Sequence, residues 1–195
     1  MVEIASDPKK IRARLRSYER KLAEEKKRFG AYDDSAGKRY FVGPLHLLLG
    51  DQDAALKSFA WYEREFPDDM GDSGHYLCWA LVLLRSGDEG KAKTKLRCAM
   101  LDNRYMLPKL LGLDGNEVGT GPDRDGLALM QLEDIPEAYY SQWSDEERAW
   151  AAKLFMSETW TKLRERFSEI EALLETEPRG PRRTALVNEL YGLKK

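Results

Sequence analysis

Apolar residues recur along most of the chain at intervals of three and four, the spacing that puts side chains on one face of an α-helix. Ile11, Leu15, Tyr18, Leu22 and Phe29 follow at spacings of four, three, four and seven and predict a single apolar stripe. Ser6, Asp7 and Pro8 start this helix, because a short polar side chain caps free amides and proline fits the first helical position; Gly30 ends it. From Lys38 to Asn103, helical segments are punctuated by Gly50-Asp51 and Gly87-Asp88. A shift of 37 residues superposes Gly50 on Gly87, Asp51 on Asp88, Ala55 on Ala92 and Phe59 on Leu96. That repeat predicts two helix-turn-helix units. Each glycine ends one helix in a left-handed turn and each aspartate starts the next. Small Ala55 and Ala92 let an antiparallel pair approach closely, Phe59 and Leu96 fill the space one turn later, and Pro67 stops the first unit.

The stretch from Gly112 to Gly126 is glycine-rich, acidic and without an apolar period, which predicts an exposed loop. After it come a short helix over Ile135–Gln142 and a capping box of Ser144 and Glu147 that opens a helix with Trp150, Leu154 and Phe155. Ser157 caps another, carrying Trp160, Leu163, Phe167, Ile170, Leu173 and Leu174, and Pro178, Gly180 and Pro181 end it. A last helix covers roughly Arg182 to Leu193, and no segment alternates like a strand. The expected fold class is all-α: antiparallel helix-turn-helix repeats with flanking N- and C-terminal helices. Its parts are an N-terminal helix (1–30), a repeat core (38–112), a flexible loop (113–126) and a C-terminal helical region (127–195) packed on the core.

The repeat residues resemble a known family. Ala55, Phe59 and Pro67 stand at the spacing of the second half of the tetratricopeptide repeat, and Val42, Gly43 and His46 look like its first half with the aromatic replaced by His46. Tyr76, Trp79, Ala80 and Leu83, then Ala92, Leu96 and Ala99, resemble a second copy. The similarity covers about two repeats, residues 38–104, with a longer period than usual through Asp68–Ser73. A third first-helix starts near Tyr105–Leu111 and is cut short at Gly112. This resemblance implies an α-solenoid whose first helices line a concave groove, here Tyr40, Leu47, Leu48, Leu77, Leu81, Leu84 and Arg85. Family members that clamp acidic chain termini use Lys, Asn and Arg there, but the matching positions hold Tyr40, Pro44 and Cys78. An apolar groove points instead to an amphipathic helix or extended peptide as ligand.

Composition changes this picture little. Lys and Arg number 32 and Asp and Glu 34, a formal net charge of -2, so no whole-molecule field recruits nucleic acid or an anionic membrane. The first helix is the basic part, with Lys9, Lys10, Arg12, Arg14, Arg16, Arg20, Lys21, Lys26, Lys27 and Arg28. Nucleic-acid binding there is disfavoured, since its rings Tyr18 and Phe29 lie in the apolar stripe. Cys78 and Cys98 sit among apolar helical residues and read as buried free thiols of a reducing, cytoplasmic compartment. No leader or membrane span is expected.

Catalytic groups are scarce. His46 and His75 lie 29 residues apart, at a packing position and at a helix start, and neither cysteine has a histidine arranged beside it. Asp114, Asn116, Gly119 and Asp125 fall at EF-hand offsets, but Val118 takes a ligand position and Asp125 replaces the bidentate glutamate, so no calcium or other cofactor is expected. The same glycines lack the Lys-Ser or Lys-Thr of a P-loop. The sequence therefore favours a non-enzymatic interaction scaffold or adaptor with a protein or peptide partner, or a homodimer. A structural protein with a self-filled groove is the first alternative, and a small enzyme on a helical scaffold the second. A bare two-unit solenoid would expose large apolar side chains, and the stripe on the N-terminal helix is a suitable cover for the first unit.

Overall fold

The computed structural model describes residues 7–32, 34–114 and 126–194. Eleven helices and no strand occur among the described residues. None of these helices is long and apolar enough to cross a membrane.

Helix α1, Pro8–Phe29, begins as its sequence requires: the Asp7 carboxylate accepts from the Lys9 amide and Pro8 occupies the first turn. Ile11, Leu15 and Leu22 bury its inner face against Val42 and Leu45 of α2, Arg39–Leu48. Phe29 departs from the expected stripe and is 58% exposed. At 1.5 Å per residue, α1 is about 33 Å long and α2 about 15 Å, so the longer helix overhangs its support.

The two repeat units are the pairs α2 with α3, Gln52–Glu65, and α4, Ser73–Arg85, with α5, Glu89–Asp102. Their turns are closed alike. Gly50 (φ 75°) and Gly87 (φ 84°) take the left-handed conformation, while the Asp51 and Asp88 amides reach back to the His46 and Leu83 carbonyls. The two aspartate side chains then cap α3 and α5 through the Ala54 and Lys91 amides. Inside the first pair, Phe59 of α3 lies against the backbone of Gly43; a Cβ built there would sit 2.6 Å from the ring.

Helix α4 is the centre of the molecule. Every residue from Ser73 to Leu83 is buried, between α2 and α3 on one side and α5 on another. Its remaining side is closed from the C-terminal half. After α6, Met106–Leu111, and α7, Leu127–Glu133, the single-turn helix α8, Glu137–Tyr140, packs on both α2 and α4. Pro136 is the N-cap of α8, which ends after one turn at Tyr140 and is shorter than the expected Ile135–Gln142; α7 lies where spacing predicts no helix, and its apolar Leu127, Leu129 and Met130 are exposed.

Helix α9, Asp145–Phe155, opens with the expected Ser144–Glu147 capping box and packs on α6. Its Arg148 donates to the carbonyls of Leu110, Tyr140 (2.6 Å) and Trp143 (3.2 Å), tying α6, α8 and α9 together. Helix α10, Glu158–Thr176, capped by Ser157, forms a hairpin with α11, Pro181–Lys194, which returns to α5. There Cys98 Sγ donates to the Lys194 carbonyl at 3.1 Å.

Gly43→Ala is expected to destabilise the fold by about 1–3 kcal/mol through overpacking against Phe59. Gly90→Ala, at an exposed position of α5 with its nearest neighbour at 3.9 Å, is expected to stabilise by up to ~1 kcal/mol. Urea denaturation of both variants checks the pair, and equal effects would refute the close approach at Gly43.

Candidate peptide-binding site

The groove residues are brought together, but the chain itself covers them. Leu47, Leu77 and Leu81 are no more than 1% exposed, inside the same apolar cluster as Leu132, Ile135, Tyr139, Tyr140 and Trp143 from the C-terminal half. Ile135 Cδ1 lies 3.0 Å from where a Cβ at Gly74 would stand, so the covering segment approaches the α4 backbone itself. Leu48 and Leu84 are partly buried against this cluster. Arg85 points out of it and grips the C-terminal half, with Nε to Glu147 Oε1 at 2.7 Å and a second nitrogen to the Gln142 carbonyl at 2.6 Å. In this conformation the expected groove has no open apolar face, because segment 132–147 occupies it.

Tyr40 belongs to a polar knot at the start of α2. Its hydroxyl donates to Asp69 at 2.6 Å, and Asp69 also receives Arg39 Nε at 2.5 Å and the Gly71 amide. Burial alone raises the Asp69 pKa, but the Tyr40 hydroxyl, the Gly71 amide and Arg39 together hold it below the usual range. Asp34 is governed the same way: burial opposes its charge, and the amides of Arg39 and Lys38 with the Lys38 ammonium outweigh it.

Beside this knot lies the buried His75. Proline at position 44 has no N–H, so the carbonyl of Tyr40, four residues earlier in α2, loses its helical donor. His75 Nδ1 supplies the substitute across to α4 at 3.0 Å. This assigns the proton to Nδ1 and leaves Nε2 bare among Tyr62 (ring centroids 4.4 Å apart), Phe59 (5.0 Å) and Trp79 (5.7 Å), with no partner. Burial lowers the His75 pKa to about 4, since a second proton would have no acceptor. The side chain is thus a neutral structural hydrogen-bond donor. Cys78 and Cys98 are free and buried, and burial raises both thiol pKa values, so neither is poised as a nucleophile.

An open site lies elsewhere, in a cleft of about 460 Å³ where α1 and α3 both lean on α2. Leu22 and Val42 form its apolar floor, and the small residues Ala23, Ala54 and Ser58 leave the space unfilled. Tyr32 and Trp61 close one end: Trp61 Nε1 donates to the Tyr32 hydroxyl at 3.2 Å, and the rings meet at 90°. Lys26 seals that end, pairing with Glu65 at 3.3 Å and lying 4.8 Å from the Tyr32 ring centre. At the rim stand exposed Lys57 and the pair His46 Nε2 with Glu19 at 3.3 Å. Ser58 shares the cleft with that pair but is not hydrogen-bonded to His46, so they form no relay. The sequence held one sign of this cleft, the small residues at helical spacing on α3, which by themselves read as ordinary close packing.

The positions considered for calcium at Asn116, Val118, Gly119 and Asp125 lie outside the described residues. No family model, curated protein or solved structure matches the chain.

In a double-mutant cycle, His75→Phe is expected to cost about 1–3 kcal/mol in the native sequence, where it strands the Tyr40 carbonyl, and measurably less beside Pro44→Ala, which restores the helical donor. Additive effects would show that His75 does not serve that carbonyl. A pH series tests the same group. The unfolded histidine titrates near 6.5 and the folded one near 4, so the unfolded state binds the extra proton and stability falls as pH drops through that window. Asp72, Asp102 and Glu171, whose pKa values burial raises, act in the opposite direction, so the difference between wild type and variant is the useful quantity. Between pH 7 and 4.5 the wild type is expected to lose about 2–3 kcal/mol more than His75→Phe.

Proposed function

We propose that this protein is a non-enzymatic interaction module of tetratricopeptide-like build that binds a polypeptide segment in the cleft between α1, α2 and α3, the first-helix groove being filled by its own chain. The repeated Schellman turns at Gly50 and Gly87 and the Gly43–Phe59 approach support that build. The observation that carries the functional reading is the contrast between two apolar faces. One is closed to 1% exposure or less at Leu47, Leu77 and Leu81; the other is held open at about 460 Å³ by small residues and walled by Tyr32 and Trp61. A cleft in the range of roughly 300–1,000 Å³, mostly apolar with a few polar groups at its rim, is the usual form of a recognition site.

Burial of His75 and both thiols supports binding over catalysis. Two unpaired buried cysteines favour a cytoplasmic setting. A specific observation also favours a purely structural role: α8 sits where a ligand of the expected groove would lie. The two readings separate on the cleft.

Ser58→Leu fills the cleft from a partly exposed position on α3, so it is expected to leave the melting temperature within a few degrees. A displayed peptide library panned on the wild-type protein, with counter-selection on Ser58→Leu, should return a convergent set of peptides with a bulky apolar residue. Trp61→Ala should weaken these by about 10-fold or more. The absence of convergent peptides would leave the structural reading in place, and peptides that bind Ser58→Leu equally well would remove the cleft as the site.

A further inference from the structure

Resting on the cleft as the binding site, we infer that its occupant is an acidic polypeptide segment that anchors one bulky apolar side chain in the cleft and lays its carboxylates along α1. Helix α1 carries ten basic and three acidic side chains, a net of seven positive charges in a chain whose formal net charge is -2. The charge is therefore strongly polarised. Spacings of four, three, four and three place Arg12, Arg16, Glu19, Ala23 and Lys26 on one row of that helix. Glu19 and Ala23 are cleft wall. Arg12 and Arg16, both exposed, thus continue the wall beyond the end opposite Tyr32 and Trp61.

The other charges around the cleft are largely engaged. Lys26 is held by Glu65, Glu19 faces His46, and Asp51, the N-cap of α3, accepts from the Ala54 amide. Lys57 is exposed on the wall opposite Ala23. A segment leaving the apolar floor toward the open end meets guanidinium groups, which favour carboxylates through forked hydrogen bonds. This also orients it: the apolar anchor lies near Trp61 and the acidic residues near Arg16 and Arg12.

Two other occupants fit less well. A nucleic acid would need free ring faces, whereas Tyr32 and Trp61 meet edge to face and are hydrogen-bonded to each other. The rest of the chain also carries a net of nine negative charges and repels a long polyanion. A second copy docking α1 against α1 would bring two such basic helices together.

The test measures fluorescence anisotropy of the full chain with four labelled probes. Three are peptides of roughly twelve residues sharing a central Phe-Leu pair, flanked by Glu and Asp, by Ser and Gln, or by Lys and Arg; the fourth is an oligothymidylate of similar length. The acidic peptide is expected to bind about 10-fold or more tightly than the neutral one, with the advantage shrinking as salt rises from about 0.05 to 0.5 M. Arg12→Glu combined with Arg16→Glu should erase that advantage and spare the neutral peptide, while Ser58→Leu weakens both. Equal binding of acidic and neutral peptides, still sensitive to Ser58→Leu, would overturn the acidic occupant and keep the cleft as a peptide site. Indifference of every peptide to Ser58→Leu would remove the cleft itself. Preference for the oligothymidylate, or self-association abolished by Ser58→Leu, would overturn the inference in favour of nucleic acid or a second copy.

Discussion

A proline inside α2 removes one amide donor, and the replacement of that donor joins the two halves of the repeat core. Without Pro44 the Tyr40 carbonyl would be satisfied within its own helix, and His75 would have no reason to be there. With it, a histidine side chain must be buried next to α2, in its neutral form, among rings that offer no second acceptor. Tyr40 is then fixed at both ends, its carbonyl by His75 and its hydroxyl by Asp69. The loop between α3 and α4 is held through the same aspartate. One covalent peculiarity of proline thus sets the register between successive helix pairs.

That register also decides which face of α2 is covered. With α2 and α4 locked side by side, their shared face is a continuous apolar strip, and α8 with its flanking residues lies on it. Arg85 and Arg148 hold the cover in place through carbonyls and Glu147, which costs the side-chain freedom of two long residues. The face that would serve as a concave binding groove is converted into core. The open cleft lies on the other side of α2, between α1 and α3, which the Lys26–Glu65 pair bridges at one end.

Charge follows the same division. The basic residues are concentrated on α1, whose outer surface has no packing duty, and the compensating acids are spread over the rest of the chain. A near-zero net charge hides this polarity, which is visible only when charge is counted helix by helix.

Sequence alone determined the local structure: the helical class, the two repeated turns, the caps at Asp7, Ser144 and Ser157, and the stripe on α1 as far as Leu22. These rest on interactions within a few residues, so spacing reports them directly. It also contained a warning about the groove. From Tyr76 to Leu84 the chain is apolar without interruption, and a helix apolar on every side is one that is covered on every side. What covers it was not legible, because α8 reaches α4 from about 60 residues away through packing that leaves no periodic trace. The exposure of Phe29, the bond from His75 to a carbonyl orphaned by Pro44, and the gap between α1 and α3 likewise depend on relative helix lengths and positions. Only the tertiary structure decides these, since each is a property of two elements at once.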